Sequence, residues 1–316
     1  MLNTKVRSLR ITVLAGGPSS EREVSLISGR NIADALASLG HRVIMLDISP
    51  DDLSALDVAA DVIFPALHGR FGEDGEVQRI LEGRGLPYVG CGPAASALAM
   101  DKVATKRACA QVGIPVAEDM LVTPDQRDAA INRWEGTRAI VKPVDQGSSV
   151  DVYISPDQLP LPEAIDRLLA KYGRAMVERF IAGPELAVGV LGGEVLPVVQ
   201  IVPQPQRPFY DYQAKYLDEN TTYLVNPPLP PDLLKRIQDM TAVVFERLGC
   251  RDLSRIDWLV DKVSLQAYLL EVNTLPGFTS HSLLPKAAAA VGIDYVSLCQ
   301  KLVDMAVSRG PHAAAA

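Results

Sequence analysis

The residues best suited to chemistry in this 316-residue chain are Arg255-Ile256-Asp257 and Glu271-Val272-Asn273. Side chains alternate along an extended strand, so Arg255 and Asp257 share one face while Ile256, Trp258 and Val260 share the other. Glu271 and Asn273 likewise share a face. A hairpin centred near Ser264 would set Asp257 opposite Glu271 and Arg255 opposite Asn273, gathering three oxygen ligands and one cation. Magnesium takes a few hard oxygens and completes its shell with water and substrate phosphates, so the patch is a candidate metal centre. The plainer reading is a salt-bridge cluster on an exposed sheet face. Pro276-Gly277, shortly after Asn273, tells for a ligand, because glycine lets the backbone approach closely.

Two further clusters accompany it. Val141-Lys142-Pro143 followed by Gln146-Gly147-Ser148-Ser149 sets a lysine at a strand end beside a small, flexible turn, which can hold phosphate oxygens through an ammonium and backbone N–H groups. The G-x-x-x-x-G-K-[ST] phosphate loop is absent, and so is a dinucleotide-binding G-x-G-x-x-G in the first loop. His68-Gly69-Arg70-Phe71-Gly72-Glu73-Asp74-Gly75 falls at the carboxyl end of the third predicted strand, where doubly wound sheets place ligands. Alone, His68 reads as a hydrogen-bonded turn histidine; with Glu21 beside it at the end of the first strand, it reads as part of a shared substrate pocket.

The elements that must carry these residues follow from periodicity. Strands at Ile11–Ala15, Arg42–Leu46 and Asp61–Leu67, a short one over Gly85–Gly90, and helices from Glu21 and from Glu76 predict a doubly wound parallel-sheet domain over residues 1–100. Asp101 is a good N-cap for a helix running to Gly113. Beyond it the texture becomes α+β, with strands at Ala139–Val144, Val150–Ile154, Ala175–Ile181 and a pair within Leu186–Ile201 folded about Gly192-Gly193. Helices at Pro162–Tyr172 and Asp232–Leu248, the Arg255–Val260 and Leu265–Thr274 hairpin, and helices near Ser282–Val291 and Tyr295–Val307 complete the order. Pro203–Pro231, rich in proline, reads as one long functional loop around Phe209-Tyr210-Asp211-Tyr212. The domains predicted are 1–100, 101–185 and 186–310, with residues 311–316 a disordered tail.

Composition narrows the function classes. The formal charge of -7 gives no basic field for a polyanion, so no nucleic-acid partner is expected. No run of about 18 apolar residues or signal peptide is present, so no membrane partner is expected either. Cys91, Cys109, Cys250 and Cys299 are far apart in apolar or helical surroundings, as in a reduced cytoplasmic protein.

Taken together and in order, the motifs resemble one family. Gly16-Gly17 with Ser20-Glu21-Arg22-Glu23-Val24-Ser25, Leu67-His68-Gly69-Arg70 with Gly72-Glu73-Asp74-Gly75, Met100-Asp101-Lys102, Lys142-Pro143 with Gly147-Ser148-Ser149-Val150, and Gly183-Pro184-Glu185 are similar to the D-alanine–D-alanine ligases, which are ATP-grasp enzymes. So are Tyr210-Asp211-Tyr212 with Ala214-Lys215-Tyr216, Arg255-Ile256-Asp257, Glu271-Val272-Asn273-Thr274, Pro276-Gly277 and Thr279-Ser280-His281-Ser282-Leu283. The resemblance implies an N-terminal substrate domain, an ATP-grasp fold of two subdomains clamping ATP, and a homodimer. It also implies that Lys102 and Lys142 meet the ATP phosphates, Glu178 and Ile181 the adenine, and Glu185 the ribose, with Lys215 a further cofactor-binding residue on the lid loop. Asp257, Glu271 and Asn273 would bind two magnesium ions, with Mn2+ able to substitute. Glu21 would pair with the ammonium of the first D-alanine, with His68 in the same pocket, and Ser282 and Leu283 would hold the carboxylate of the second. Arg255 and the Gly277 N–H would face the oxyanion, and Tyr216, on a lid, would close onto Ser148 and Glu21.

The implied reaction is ATP-dependent ligation of two D-alanines through an acyl phosphate, feeding peptidoglycan synthesis. A tyrosine at 216 points to a dipeptide ligase over relatives that make a D-alanyl-D-lactate ester. One departure from the family pattern is Asp151, where glycine is usual: it would either repel phosphate or face solvent or a lysine. An ATP-grasp ligase with another second substrate, and a nucleotide-binding pseudoenzyme, are the competing readings.

Overall fold

The computed structural model describes residues 8–204 and 221–310; Lys215, Tyr216 and the tail 311–316 lie outside them. The first unit alternates β1 (Arg10–Ala15), α1 (Arg22–Ser38), β2 (Arg42–Asp47), β3 (Val62–Pro65) and α2 (Glu76–Gly83). Its strands pair in parallel in the order β2-β1-β3, as expected for strands separated by helices. The strand anticipated at Gly85–Gly90 is reduced to a single bridge between Ile63 and Tyr88. Left-handed Gly85 and Gly90 bracket it, and Pro87 has no N–H to give to a ladder.

Helices α3 (Pro93–Met100) and α4 (Lys102–Ala110) follow. Asp101 caps α4, its Oδ1 accepting from Ala104 N at 2.8 Å. Then come β4 (Asp119–Val122), α5 (Arg127–Trp134), β5 (Ala139–Lys142), β6 (Tyr153–Ser155), α6 (Leu161–Tyr172) and β7 (Ala175–Arg179). They form an antiparallel sheet in the order β4-β7-β5-β6, with Trp134, Ile165 and Leu168 packed on one side. Neither β4 nor α5 is anticipated from the sequence.

The largest sheet runs β10-β9-β8-β11-β12, built from β8 (Glu185–Leu191), β9 (Glu194–Val202), β10 (Thr222–Val225), β11 (Leu253–Val260) and β12 (Ala267–Asn273). Gly192 and Gly193, both at positive φ, make the two-residue turn between β8 and β9. Of the loop expected over Pro203–Pro231, residues 205–220 with Phe209-Tyr210-Asp211-Tyr212 lie outside the described residues, and the described part contains β10, which pairs with Val199–Val202. One face of this sheet (Val188, Val190, Ile256, Trp258) packs under Ile237 and Val244 of α7 (Pro231–Arg247). The other (Ala187, Leu191, Ile201) packs on α8 (Leu283–Ala290) and α9 (Tyr295–Arg309), in a core shared with Leu36 and Phe64 of the first unit. That shared core, with Phe64 and Ala66 against Leu253 and Phe278, sets the end of β3 beside β11 and the segment after β12. Among the described residues no helix is long and apolar enough to cross a membrane.

Candidate active site

The hairpin register is the one the alternation predicts: Asp257 faces Glu271, and Arg255 faces Asn273. The route to it is different. The ladder steps from Asp257↔Glu271 to Trp258↔Leu269, leaving Leu270 as an extra residue in a β-bulge. In a regular strand Leu269 and Glu271 would share a face; the bulge sends Leu269 into the core with Trp258 while Glu271 joins Asp257. Asp257 is buried at 1% exposure, and its carboxylate accepts from Arg255 Nε and Nη2 at 2.8–3.2 Å and from Asn273 Nδ2 at 3.1 Å. Glu271 lies 3.8 Å from Lys102 Nζ. Among the described residues no three His, Cys, Asp or Glu side chains converge as a metal cluster; this trio is two carboxylates and a carboxamide. Its donor chemistry fits a hard, oxygen-seeking cation that keeps waters and phosphates in its shell.

A cavity of about 650 Å³ opens between the central and largest sheets. Lys102, Lys142, Glu178, Ile181, Glu185 and Glu271 all line it. Its far wall is made of cation–aromatic stacks that the sequence did not single out, Arg138 over Phe180 at 3.8 Å and Arg179 over Tyr268 at 5.4 Å. The Glu178 carboxylate bonds Lys142 Nζ on one oxygen and Lys106 Nζ, at 2.8 Å, on the other. Burial alone would raise its pKa, but the two ammonium groups outweigh burial and hold it at about 2. Lys106, given no role in the sequence reading, sits four residues along α4 from Lys102, one helical turn away on the same face.

Beside it lies a cavity of about 60 Å³ whose lining includes Glu21, His68, Ser148, Arg255, Asn273, Gly277, Ser282 and Leu283. The Ser148 hydroxyl donates to Glu21 Oε1. Ser282 is the N-cap of α8, so the cavity ends on a helix N-terminus, where unpaired N–H groups and the dipole favour a carboxylate. Glu73, part of the sequence-predicted 68–75 cluster but given no role of its own there, also lines this cavity. Burial first, and the nearby Glu21 carboxylate second, push the Glu73 carboxyl up to about 8. Burial also holds His68 below its ordinary pKa.

The loop joining the two cavities runs through Ser148, Ser149 and Asp151 at φ of 54°, 56° and 54°. Strained backbone of this kind gathers at functional sites. Asp151 turns away from the cavities and accepts from Lys171 Nζ at 2.7 Å and from the Tyr172 hydroxyl. Of its two expected fates, facing a lysine is the one observed. Lys215 and Tyr216 lie outside the described residues.

The model of the D-Ala-D-Ala ligase C-terminus matches residues 109–304, and that of the D-Ala-D-Ala ligase N-terminus matches residues 51–91. The D-alanine–D-alanine ligase of Moorella thermoacetica is 41% identical over 310 residues, covering 95% of this chain and 99% of its own. The crystal structure of D-alanine–D-alanine ligase from Bacillus anthracis complexed with ATP is similar at a TM-score of 0.78 and 28% identity, covering 96% of this chain and 98% of that one. That of the VanG D-Ala:D-Ser ligase from Enterococcus faecalis is similar at 0.82 and 28% identity, covering 95% and 100%.

Proposed function

The chain belongs to the D-alanine–D-alanine ligase family, and from that premise we propose that it joins two D-alanines into D-alanyl-D-alanine, with ATP converted to ADP and phosphate, for peptidoglycan synthesis. One observation carries the reading beyond family membership. Consecutive residues of one loop serve both cavities, Gln146 and Ser149 lining the large one and Gly147 and Ser148 the small one. Across from them, Glu271 lines the large cavity and Asn273 lines both the small one and the space between. A nucleotide in the first and an amino acid in the second would therefore meet at a boundary lined by Lys102, Glu271 and Asn273.

The large cavity takes ATP, its adenine toward Glu178 and Ile181, its ribose toward Glu185 and its phosphates toward Lys102 and Lys142. Lys102 is already fixed there, donating to Gln146 O at 2.6 Å. Glu21 holds the ammonium of the first D-alanine, and Ser282 with Leu283 at the start of α8 holds the carboxylate of the second. The first carboxylate attacks the γ-phosphorus, ADP leaves, and an acyl phosphate results, with the two lysines taking up charge. The amine of the second D-alanine then attacks the acyl carbon; Arg255 and the Gly277 N–H stabilise the oxyanion, phosphate leaves, and the peptide bond remains. Two magnesium ions held by Asp257, Glu271 and Asn273 would neutralise charge on the transferring phosphoryl group, a role that manganese could also fill. The chain would work in the cytoplasm as a homodimer, which sedimentation of the purified protein would test.

D-alanine-dependent release of phosphate from ATP tests the reading directly. Release with D-alanine and not L-alanine is the expected result; equal release with both, or none, overturns it.

A further inference from the structure

The turn Leu275–Phe278 follows β12 and carries Gly277 into the small cavity. Every backbone polar group at its two ends is taken by a side chain from elsewhere. Leu275 N donates to Glu73 Oε1 at 3.3 Å, and Leu275 O lies 3.2 Å from His68 Nδ1. Phe278 N donates to Ser28 Oγ at 3.2 Å, and Phe278 O accepts from Tyr295 at 2.8 Å and Asn31 at 3.3 Å. Between these ends, the Gly277 N–H has no acceptor among the described residues.

A carbonyl can only accept, so His68 Nδ1 carries the ring proton. Burial disfavours a charged ring, and in the uncharged form Nε2 accepts from the Ser28 hydroxyl 3.4 Å away, leaving Ser28 Oγ an acceptor for Phe278 N. Glu73 spends its other oxygen on Gly69 N at 2.8 Å, tying the same loop that carries His68. Ser28, His68 and Glu73 all belong to the first unit, whereas the turn they hold belongs to the largest sheet.

We propose that Glu73, His68 and Ser28 are positioning residues that fix the 275–278 turn from the first unit, so that the Gly277 N–H is aimed at the reacting carbonyl. A donor for an oxyanion works only if it is already oriented when charge develops, and a displacement of about 1 Å can cost on the order of a hundredfold in rate. The grip thus acts where charge builds on the carbonyl oxygen in the second chemical step. This inference rests on the role given to Gly277 above.

The test uses full-length Glu73→Gln and Ser28→Ala; Ser28 lies outside the small cavity, so its loss removes the grip without altering a wall. Acyl-phosphate formation is read by oxygen-isotope scrambling between bridging and non-bridging positions of ATP, and the second step by the kcat for dipeptide. Hydrogen exchange of the 270–280 peptide reports the grip itself. Both variants should speed exchange in that peptide and lower kcat roughly tenfold or more; in Ser28→Ala, which alters no wall of either cavity, scrambling and the KM for ATP should stay within about twofold of the parent. Unchanged exchange, unchanged kcat, or scrambling in Ser28→Ala that falls in step with its kcat overturns the proposal. Absence of D-alanine-dependent phosphate release in the parent protein would instead sink the ligase reading itself, before any variant is compared.

Discussion

Replacing Asp151 with glycine restores the residue the resemblance leads one to expect, and the structure sets what that should do. If the carboxylate faced the ATP phosphates at about 6 Å, an effective dielectric of about 20 would make the repulsion about 3 kcal/mol, or roughly a hundredfold in apparent affinity. Instead it is engaged by Lys171 and Tyr172 on the last turn of α6, and neither it nor they line the nucleotide cavity. Burial raises its pKa, but these partners together with Tyr153 outweigh burial and keep it below the ordinary carboxylate value, so the charge is present and already compensated. Asp151→Gly should therefore leave the KM for ATP within about twofold. Stability is a contest of small terms: an exposed ion pair and a hydroxyl bond lost, each about 1 kcal/mol or less, against relief of a left-handed non-glycine residue worth about 1 kcal/mol. The midpoint of denaturant unfolding should move by no more than about 1 kcal/mol equivalent. Phosphate release measured across ATP concentrations decides the matter. A KM that falls tenfold or more would refute the geometry argued for the loop.

Other consequences are open to measurement. Glu178, with a folded pKa of about 2 against an ordinary 4.5, contributes stability that is fully present above about pH 4.5 and is lost as pH falls through 2. In acid titrations of unfolding free energy, the parent should lose about 3 kcal/mol more than Glu178→Gln over that window, and equal losses would count against the Lys106–Glu178–Lys142 pairing. Gly277→Ala would place a Cβ 2.9 Å from Ser282 Oγ, so steady-state kinetics should show both a raised KM for the second D-alanine and a lowered kcat. Stripping divalent cations with a chelator should abolish phosphate release and adding magnesium should restore it; an Asp257→Asn protein that needs no more magnesium than the parent would argue against the metal centre.

Much of this site could be read from the chain because its residues fall on strands, where a period of two ties sequence to face. The Asp257–Glu271 and Arg255–Asn273 pairings were accessible that way. The bulge that makes them compatible with Leu269 in the core was not, since one unpaired residue leaves no mark on composition. β10 escaped notice for a related reason: four residues between prolines carry too little pattern, and only pairing with β9 defines them. Glu73 and Lys106 stood in view without a role because their importance is long-range; one reaches a residue 202 positions away, the other 72. Asp151 was noticed but not settled, because the direction of a single side chain in a left-handed turn depends on a helix 20 residues later.

The extra residue at Leu270 has a lesson for protein engineering. Copying Arg255, Asp257, Glu271 and Asn273 onto an ideal flat hairpin of another scaffold would keep the sequence spacing and lose the phase, forcing either Leu269 into water or Glu271 into oil. The portable unit is the irregularity together with the side chains, and a transplant that omits it should fail at the level of folding before any question of catalysis arises.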